Sequence, residues 1–357
     1  MFRTLRNIII NFMAIFILDR DARHKFRKKY KKKSNFRKLR DDNIELLNKN
    51  KYLETRLNAV QNDITFLKKV LLNHTWLNLL DTNPDIYLSV ACIAKDEAKY
   101  LKEWIEYHKI VGVERFYFYD NESTDNTREV LEPYIKNGTV IYRYVEGKAM
   151  QSPVFQDAVL KARGHTRWLA LIDLDEFILP IEKDSVSEFL KDYEQYPGVA
   201  INWVCFDDNG HKTKPTAHGG LVTANYTRVV VDHNSFILDK SVKCIVNPND
   251  VIFLNTPHFC IYKNDFAVTE NFEEFSSIPT KYHSSNKIRI NHYYRKSAEE
   301  FQEKTRKGDA NLRAFATRRV YKKIWDSSSF PEEIKTTHDF AIQKYIPQLK
   351  SILGITE

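Results

Sequence analysis

At 357 residues, 43% of them hydrophobic, the chain exceeds one average domain and can bury a full core. Its net charge of +8, from 55 Lys and Arg against 47 Asp and Glu, is unevenly spread. Cys92, Cys205, Cys244 and Cys260 show no Cys-x-x-Cys spacing and suggest no zinc site; three of the four lie in apolar runs and read as reduced core residues of a cytosolic protein.

The first 80 residues do not read as catalytic. Ile8 to Leu18 is apolar apart from Asn11, and is shorter than the roughly 20 residues a bilayer span needs. Arg3, Asn7 and Asn11 fall near one helical stripe, with Phe, Leu, Ile and Met elsewhere, as in a helix lying in a membrane interface. No small-residue cleavage site follows it. Arg20 to Arg40 then holds twelve Lys or Arg and one Asp, a field suited to anionic lipid head groups. The aromatics that nucleic-acid stacking would need are sparse there, Tyr30 and Phe36 among them, so no nucleic-acid partner is expected. A solvated linker is the plain alternative. Residues 1–40 therefore read as a membrane-binding segment, and 41–80 as a coiled coil. Leu46, Leu53, Val60 and Leu67 alternate with Asn50, Leu57, Ile64 and Leu71 at steps of four and three, with Asn50 at an a position. That pattern predicts a homo-oligomer; the alternative is one long helix packing on its own domain.

A catalytic domain is expected over 85–310. Ile86–Ala94 reads as a strand followed by the charged turn Lys95-Asp96-Glu97. Ala98–Val111 is a helix with Leu101, Trp104, Ile105 and His108 on one face, ended by Gly112. Arg115–Tyr119 is a strand running into Asp120, Arg128–Lys136 a helix, Thr139–Val145 a strand and Pro153–Arg163 a helix. Trp168–Ile172 is a short apolar run of the kind that forms a buried strand, and it delivers Asp173, Asp175 and Glu176. In an extended segment Asp173 and Asp175 would face the same way, and such a pair suits Mg²⁺ or Mn²⁺ completed by substrate phosphates. Alternating strands and helices require parallel crossovers, and an open parallel sheet binds ligands at the carboxyl ends of its strands. Three polar clusters lie at such ends. No phosphate-loop or Gly-x-Gly-x-x-Gly pattern is present, which disfavours a P-loop kinase or a Rossmann dehydrogenase.

Lys95-Asp96-Glu97, Leu101 to His108, Tyr119 to Thr127 and Asp173-Leu174-Asp175-Glu176-Phe177 form an ordered set. It continues with Trp203-Val204-Cys205-Phe206, Lys243 to Pro248, His258-Phe259 and Asn291 to Phe301. As such it resembles glycosyltransferase family 92 and its bacterial family-2-like relatives, over roughly Leu88 to Gly308. The resemblance implies an α/β fold of GT-A type, a Rossmann-like mixed sheet flanked by helices, here preceded by an amphipathic helix and coiled coil. It also implies transfer of a sugar from a nucleotide-diphosphate donor, a UDP-sugar, with Mn²⁺ or Mg²⁺. Asp173 and Asp175 would then form the Asp-x-Asp, with His292 completing the metal shell and Asp120 on the base or ribose. Lys95, Glu97, Lys243 and Lys296 are the further donor-site candidates. An inverting transfer needs a carboxylate base. Asp207-Asp208-Asn209-Gly210 stands where the family usually has Gly-Ser-like residues, so Asp208 and Asp207 are the base candidates, with Glu176 also open. Arg295 and Lys296 precede Ser297 and Glu300, a capping-box spacing whose helix amides could hold diphosphate oxygens. His258 reads equally as a core or acceptor-site residue.

Residues 311–357 read as a helical appendage. Taken together, the chain is expected to be a peripheral enzyme at the cytoplasmic face of a membrane, acting on a glycan or lipid-linked glycan. The alternative is a non-catalytic membrane-bound scaffold with a degenerate transferase fold; a metal-dependent phosphohydrolase is disfavoured by the lack of His-rich clusters.

Overall fold

The structure, a computed structural model, describes residues 84–356 apart from 264–265, 276–277 and 308–328. The expected amphipathic helix over 1–40 and coiled coil over 41–80 lie outside the described residues. Among the described residues no helix is long and apolar enough to cross a membrane.

The first half alternates strand and helix: β1 (Ile86–Ala94), α1 (Ala98–Ile110), β2 (Arg115–Asn121), α2 (Thr127–Lys136), β3 (Val140–Val145), α3 (Gln151–Ala162) and β4 (Thr166–Leu171). β3, β2, β1 and β4 pair in parallel in that order. Buried on both faces, a parallel strand reads as a near-continuous apolar run, and β1 is one. Its alternate residues feed two cores. Leu88, Val90, Cys92 and Ala94 join the α1 side, whereas Ala91 and Ile93 pack with Val154, Phe155 and Ala158 of α3. All four cysteines are free and buried.

Past β4 the chain becomes less regular: β5 (Glu176–Pro180), α4 (Val186–Leu190), β6 (Gly198–Cys205), α5 (Val222–Asn225), β7 (Arg228–Val230), β8 (Val242–Val246), the hairpin β9 (Val251–Thr256) and β10 (Phe259–Tyr262), β11 (Val268–Thr269), β12 (Ile288–His292), α6 (Ala298–Lys307), β13 (Thr336–His338) and α7 (Ile346–Leu353). The main sheet continues from β4 through β8, β6 and β12 to β5, with β11 beside β6. β8 runs antiparallel to β4 and β6, and β5 antiparallel to β12, while β6 and β12 are parallel. The sheet is therefore mixed. Residues 329–356 do not stand apart as a helical appendage: β13 pairs with β7, and Ile342, Tyr345, Ile346 and Leu349 join the α1-side core.

The buried face of α1 sets the position of β5. Trp104 Nε1 donates to Glu176 O (2.9 Å) and the Tyr107 hydroxyl to Ile178 O (2.9 Å). His108 is bonded at both ring nitrogens, Nδ1 to Trp104 O (2.8 Å) and Nε2 to the Ile178 amide (3.3 Å). Nε2 must accept there, so the ring is neutral, and burial pushes its pKa down from 6.5 to about 3. The unfolded chain protonates this histidine below about 6.5 and the folded chain does not, so acid favours unfolding through it. Urea midpoints are accordingly expected to fall as pH drops from 6.5 towards 4, less steeply in His108→Gln than in the wild type. Parallel slopes would refute this role.

Candidate active site

The strand directions gather the chemistry at one sheet edge. β1, β2, β4, β6 and β12 end there, while the antiparallel β5 and β8 begin there. Lys95 to Glu97, Asp120, Asp173, Asp175, Asp207, Asp208 and His292 thus arrive from strand ends, and Glu176 and Lys243 from strand starts. The edge is the one at which open α/β sheets bind ligands.

Asp173 and Asp175 do not share a face of one extended strand. β4 stops at Leu171 and Leu174-Asp175 form a turn, and the two acids take different partners. Asp173 Oδ2 accepts from Lys243 Nζ (2.7 Å) and Oδ1 from Gln151 Nε2 (2.6 Å). Lys243 is fully buried; burial works against its charge, but Asp173 and Glu176 outweigh it and hold its pKa above that of an ordinary lysine. Asp175 Oδ2 accepts from Lys304 Nζ of α6, and Oδ1 lies 3.7 Å from His292 Nε2. Burial would raise the Asp175 pKa, yet Lys304, His292 and Lys296 hold it well below the carboxylate range. His292 is kept neutral by burial, its pKa near 3. Its Nδ1 has no hydrogen-bond partner among the described residues, and its ring lies 4.3 Å from that of Trp203. Glu176 Oε2 accepts from the Asp173 amide (2.8 Å), while Oε1 is buried without a partner among the described residues. Burial, reinforced by Asp173 and Asp175, pushes Glu176 well up.

Among the described residues no three His, Cys, Asp or Glu side chains gather as a metal shell. The structure does bring Asp175 and a neutral imidazole together, and a divalent cation held by one or two protein groups plus substrate phosphates needs no more. The donor set fits.

The remaining predicted residues take varied places. Asp120 is buried, with Oδ1 accepting from the Ser123 amide (2.9 Å) and Oδ2 from the Tyr142 hydroxyl (2.7 Å). Lys95 faces Glu122 at 3.5 Å on the surface, and Glu97 pairs with Lys307 at 2.8 Å. Lys296 adopts φ +51° and sets its ammonium 3.9 Å from the Tyr100 ring centre. His258 Nδ1 meets Val242 O, and its ring packs edge-on against Trp203.

Asp207 and Asp208 differ sharply. Both Asp207 oxygens are taken, by Arg228 Nε (2.8 and 2.9 Å), Arg228 Nη2 (2.6 Å) and the amides of Asn209 and Phe330. Asp208 meets Arg228 only at 3.4 Å; its Oδ1 accepts from the Gly210 amide and its Oδ2 from the Ser329 hydroxyl (2.6 Å).

One expectation is overturned. The capping box forms, with Ser297 and Glu300 bonded reciprocally, and it uses those two amides; the Ala298 and Glu299 amides go to His211 O and Lys212 O. Among the described residues, no backbone amide of the first turn of α6 is left to hold a diphosphate. Sequence reasoning also missed Lys304, Gln151 and Arg228. Lys304 sits in a helix alternating Glu and Lys, which reads as a solvated face.

A protein-family model described as Glycosyltransferase family 92 matches residues 85–327. A family 92 protein of Oryza sativa is 31% identical over 144 residues, 39% of this chain and 24% of the relative. One of Ricinus communis is 29% identical over 226 residues, 61% of this chain and 37% of the relative. Galactan beta-1,4-galactosyltransferase GALS2 of Arabidopsis thaliana is 28% identical over 126 residues, 31% and 24%. The chain thus spans about a quarter to a little over a third of the length of these curated relatives. Among solved structures, S. aureus TarS 1–349 in complex with UDP aligns at 16% identity over 46% of this chain and 47% of that one, with a TM-score of 0.31. Mycobacterium tuberculosis glucosyl-3-phosphoglycerate synthase in complex with Mn²⁺ and UDP-glucose aligns at 15% over 33% and 44%, with a TM-score of 0.24.

Proposed function

The chain belongs to glycosyltransferase family 92, and on that premise we propose that it transfers a sugar, with inversion, from a UDP-sugar to a glycan or lipid-linked glycan hydroxyl. The observation carrying this reading is the meeting of Asp173, Asp175, Lys243, Lys304 and His292 at the ligand edge of the sheet. Carboxylates interleaved with ammonium groups suit a ligand that brings both a diphosphate and a cation.

In this reading Asp175 and His292, with Asp173, would hold Mn²⁺ or Mg²⁺. The cation would supply Lewis-acid neutralisation of the departing diphosphate. Lys243 and Lys296 set fixed positive charge at the same edge, where it stabilises that diphosphate as the bond to the anomeric carbon breaks. Asp208 takes the acceptor hydroxyl's proton while the acceptor oxygen bonds to the anomeric carbon; the Arg228–Asp207 pair positions it. Asp120, held by Tyr142 and the Ser123 amide, faces the nucleoside.

A ligand that binds the folded state raises its melting temperature. UDP with Mn²⁺ is expected to raise that of the wild type by several degrees, and UDP without metal to do much less. If no nucleotide stabilises the protein with or without Mn²⁺, the reading yields to the non-catalytic scaffold.

We also propose that the enzyme works as a homo-oligomer at the cytoplasmic face of a membrane. The support is the sequence pattern of residues 1–80 alone. Deleting residues 1–40 should release the protein from phosphatidylserine vesicles; retained binding refutes it.

A further inference from the structure

Asp175, the carboxylate assigned to the cation, already carries one. Lys304 Nζ donates to its Oδ2, while His292 faces the other oxygen. The same ammonium lies 3.3 Å from Tyr294 O and 3.9 Å from the Tyr294 ring centre, so it has a second seat that needs no carboxylate. Helix α6 itself is pinned. Glu300, one turn before Lys304, accepts from the hydroxyls of Tyr100, Tyr226 and Ser297. The Lys304 side chain, 32% exposed on a flexible four-carbon stem, is therefore the part able to shift.

A divalent cation held between Asp175 Oδ1 and His292 would sit across one carboxylate from the ammonium on Oδ2, and two cations that close repel strongly. Lys296 also lies close enough to act on Asp175, so a cation entering alone would join two nearby ammonium groups. A diphosphate arriving with it removes that conflict. Resting on the donor-site reading above, we propose that Lys304 is a resident counter-ion which a divalent cation must displace from Asp175. The displaced ammonium then pairs with the donor diphosphate, so that metal and nucleotide each strengthen the other's binding. Such coupling is reciprocal.

The test titrates Mn²⁺ alone into nucleotide-free wild type, Lys304→Met and Lys304→Arg, following the electron paramagnetic resonance signal of free Mn²⁺, and then repeats it with saturating UDP. Without nucleotide, Lys304→Met is expected to bind Mn²⁺ on the order of ten-fold more tightly than wild type, the scale of one charge-assisted hydrogen bond. The enhancement of Mn²⁺ affinity by UDP should shrink by a similar factor, and Lys304→Arg should stay near wild type. Equal or weaker Mn²⁺ binding by Lys304→Met overturns the proposal. So does a wild type whose Mn²⁺ affinity UDP leaves unchanged, a result independent of any variant. Wild type binding neither Mn²⁺ nor UDP defeats the donor-site reading and this proposal together; binding of both with no effect of Lys304→Met defeats the counter-ion alone.

Discussion

Asp175→Asn is expected to abolish metal-dependent stabilisation by UDP and to lower transferase turnover by on the order of 10³-fold, the scale set by removing one preorganised charge partner from a buried site. Asparagine keeps the size and one oxygen of the side chain but not the charge. The fold should survive. Lys304 is partly exposed and keeps its place over Tyr294, and the backbone bond from the Tyr293 amide to Asp175 O (2.8 Å) does not involve the side chain. Thermal unfolding without ligand, compared with the ligand-induced shift, separates the two effects. A variant that unfolds like wild type and still gains stability from UDP and Mn²⁺ would show that the cation sits elsewhere.

Asp208→Asn should act differently. It is expected to reduce kcat by about 10²–10⁴-fold, the usual worth of a general base, while the UDP-and-Mn²⁺ stabilisation stays intact. Asp207→Asn is the matched control. Asp207 is wholly buried and Arg228 is not, so losing that carboxylate should cost about 2–3 kcal/mol of stability. Its effect on kcat should follow only from misplacement of the neighbouring loop. If Asp208→Asn turns over at the wild-type rate, Glu176 becomes the base to test, because its buried Oε1 has no partner among the described residues.

The first half of the fold was legible because its signals are local. β1 is an apolar run closed by a charged turn, and α1 shows its buried face at helical spacing and stops at Gly112. There φ is +104° and a Cβ would lie 2.6 Å from Ser187 Oγ. The edge at which the acids converge followed from the same alternation. The turn between Asp173 and Asp175, and the different partners they take, were not legible. Nothing in Leu-Ile-Asp-Leu-Asp-Glu marks a turn, and the cations that pair with the two acids, Lys243 and Lys304, lie far along the chain. β7, β11 and β13 have two or three residues each, too short to show a period, and they exist only because remote strands pair with them. Asp207 and Asp208 are alike in sequence; their difference is made by Arg228, Ser329 and Phe330.

The pairing of β5 has a consequence for how the protein is assembled. β5 leaves the acid-rich turn at Glu176, and its partner in the sheet is β12, in the register His292↔Glu176 to Ile288↔Pro180. Over a hundred residues must be made before that partner exists. Contacts so distant form late, because closing a long loop comes before any gain from pairing. The parallel block β1 to β4 can collapse early from local crossovers, leaving β5 as an open edge and Asp173, Asp175 and Glu176 mutually repelling. Docking of β12 covers that edge and brings His292 beside Asp175, just ahead of the helix that carries Lys304. The cluster at this edge is thus expected to be completed late in folding, with β5 the strand most open to a chaperone or an aggregating neighbour until then.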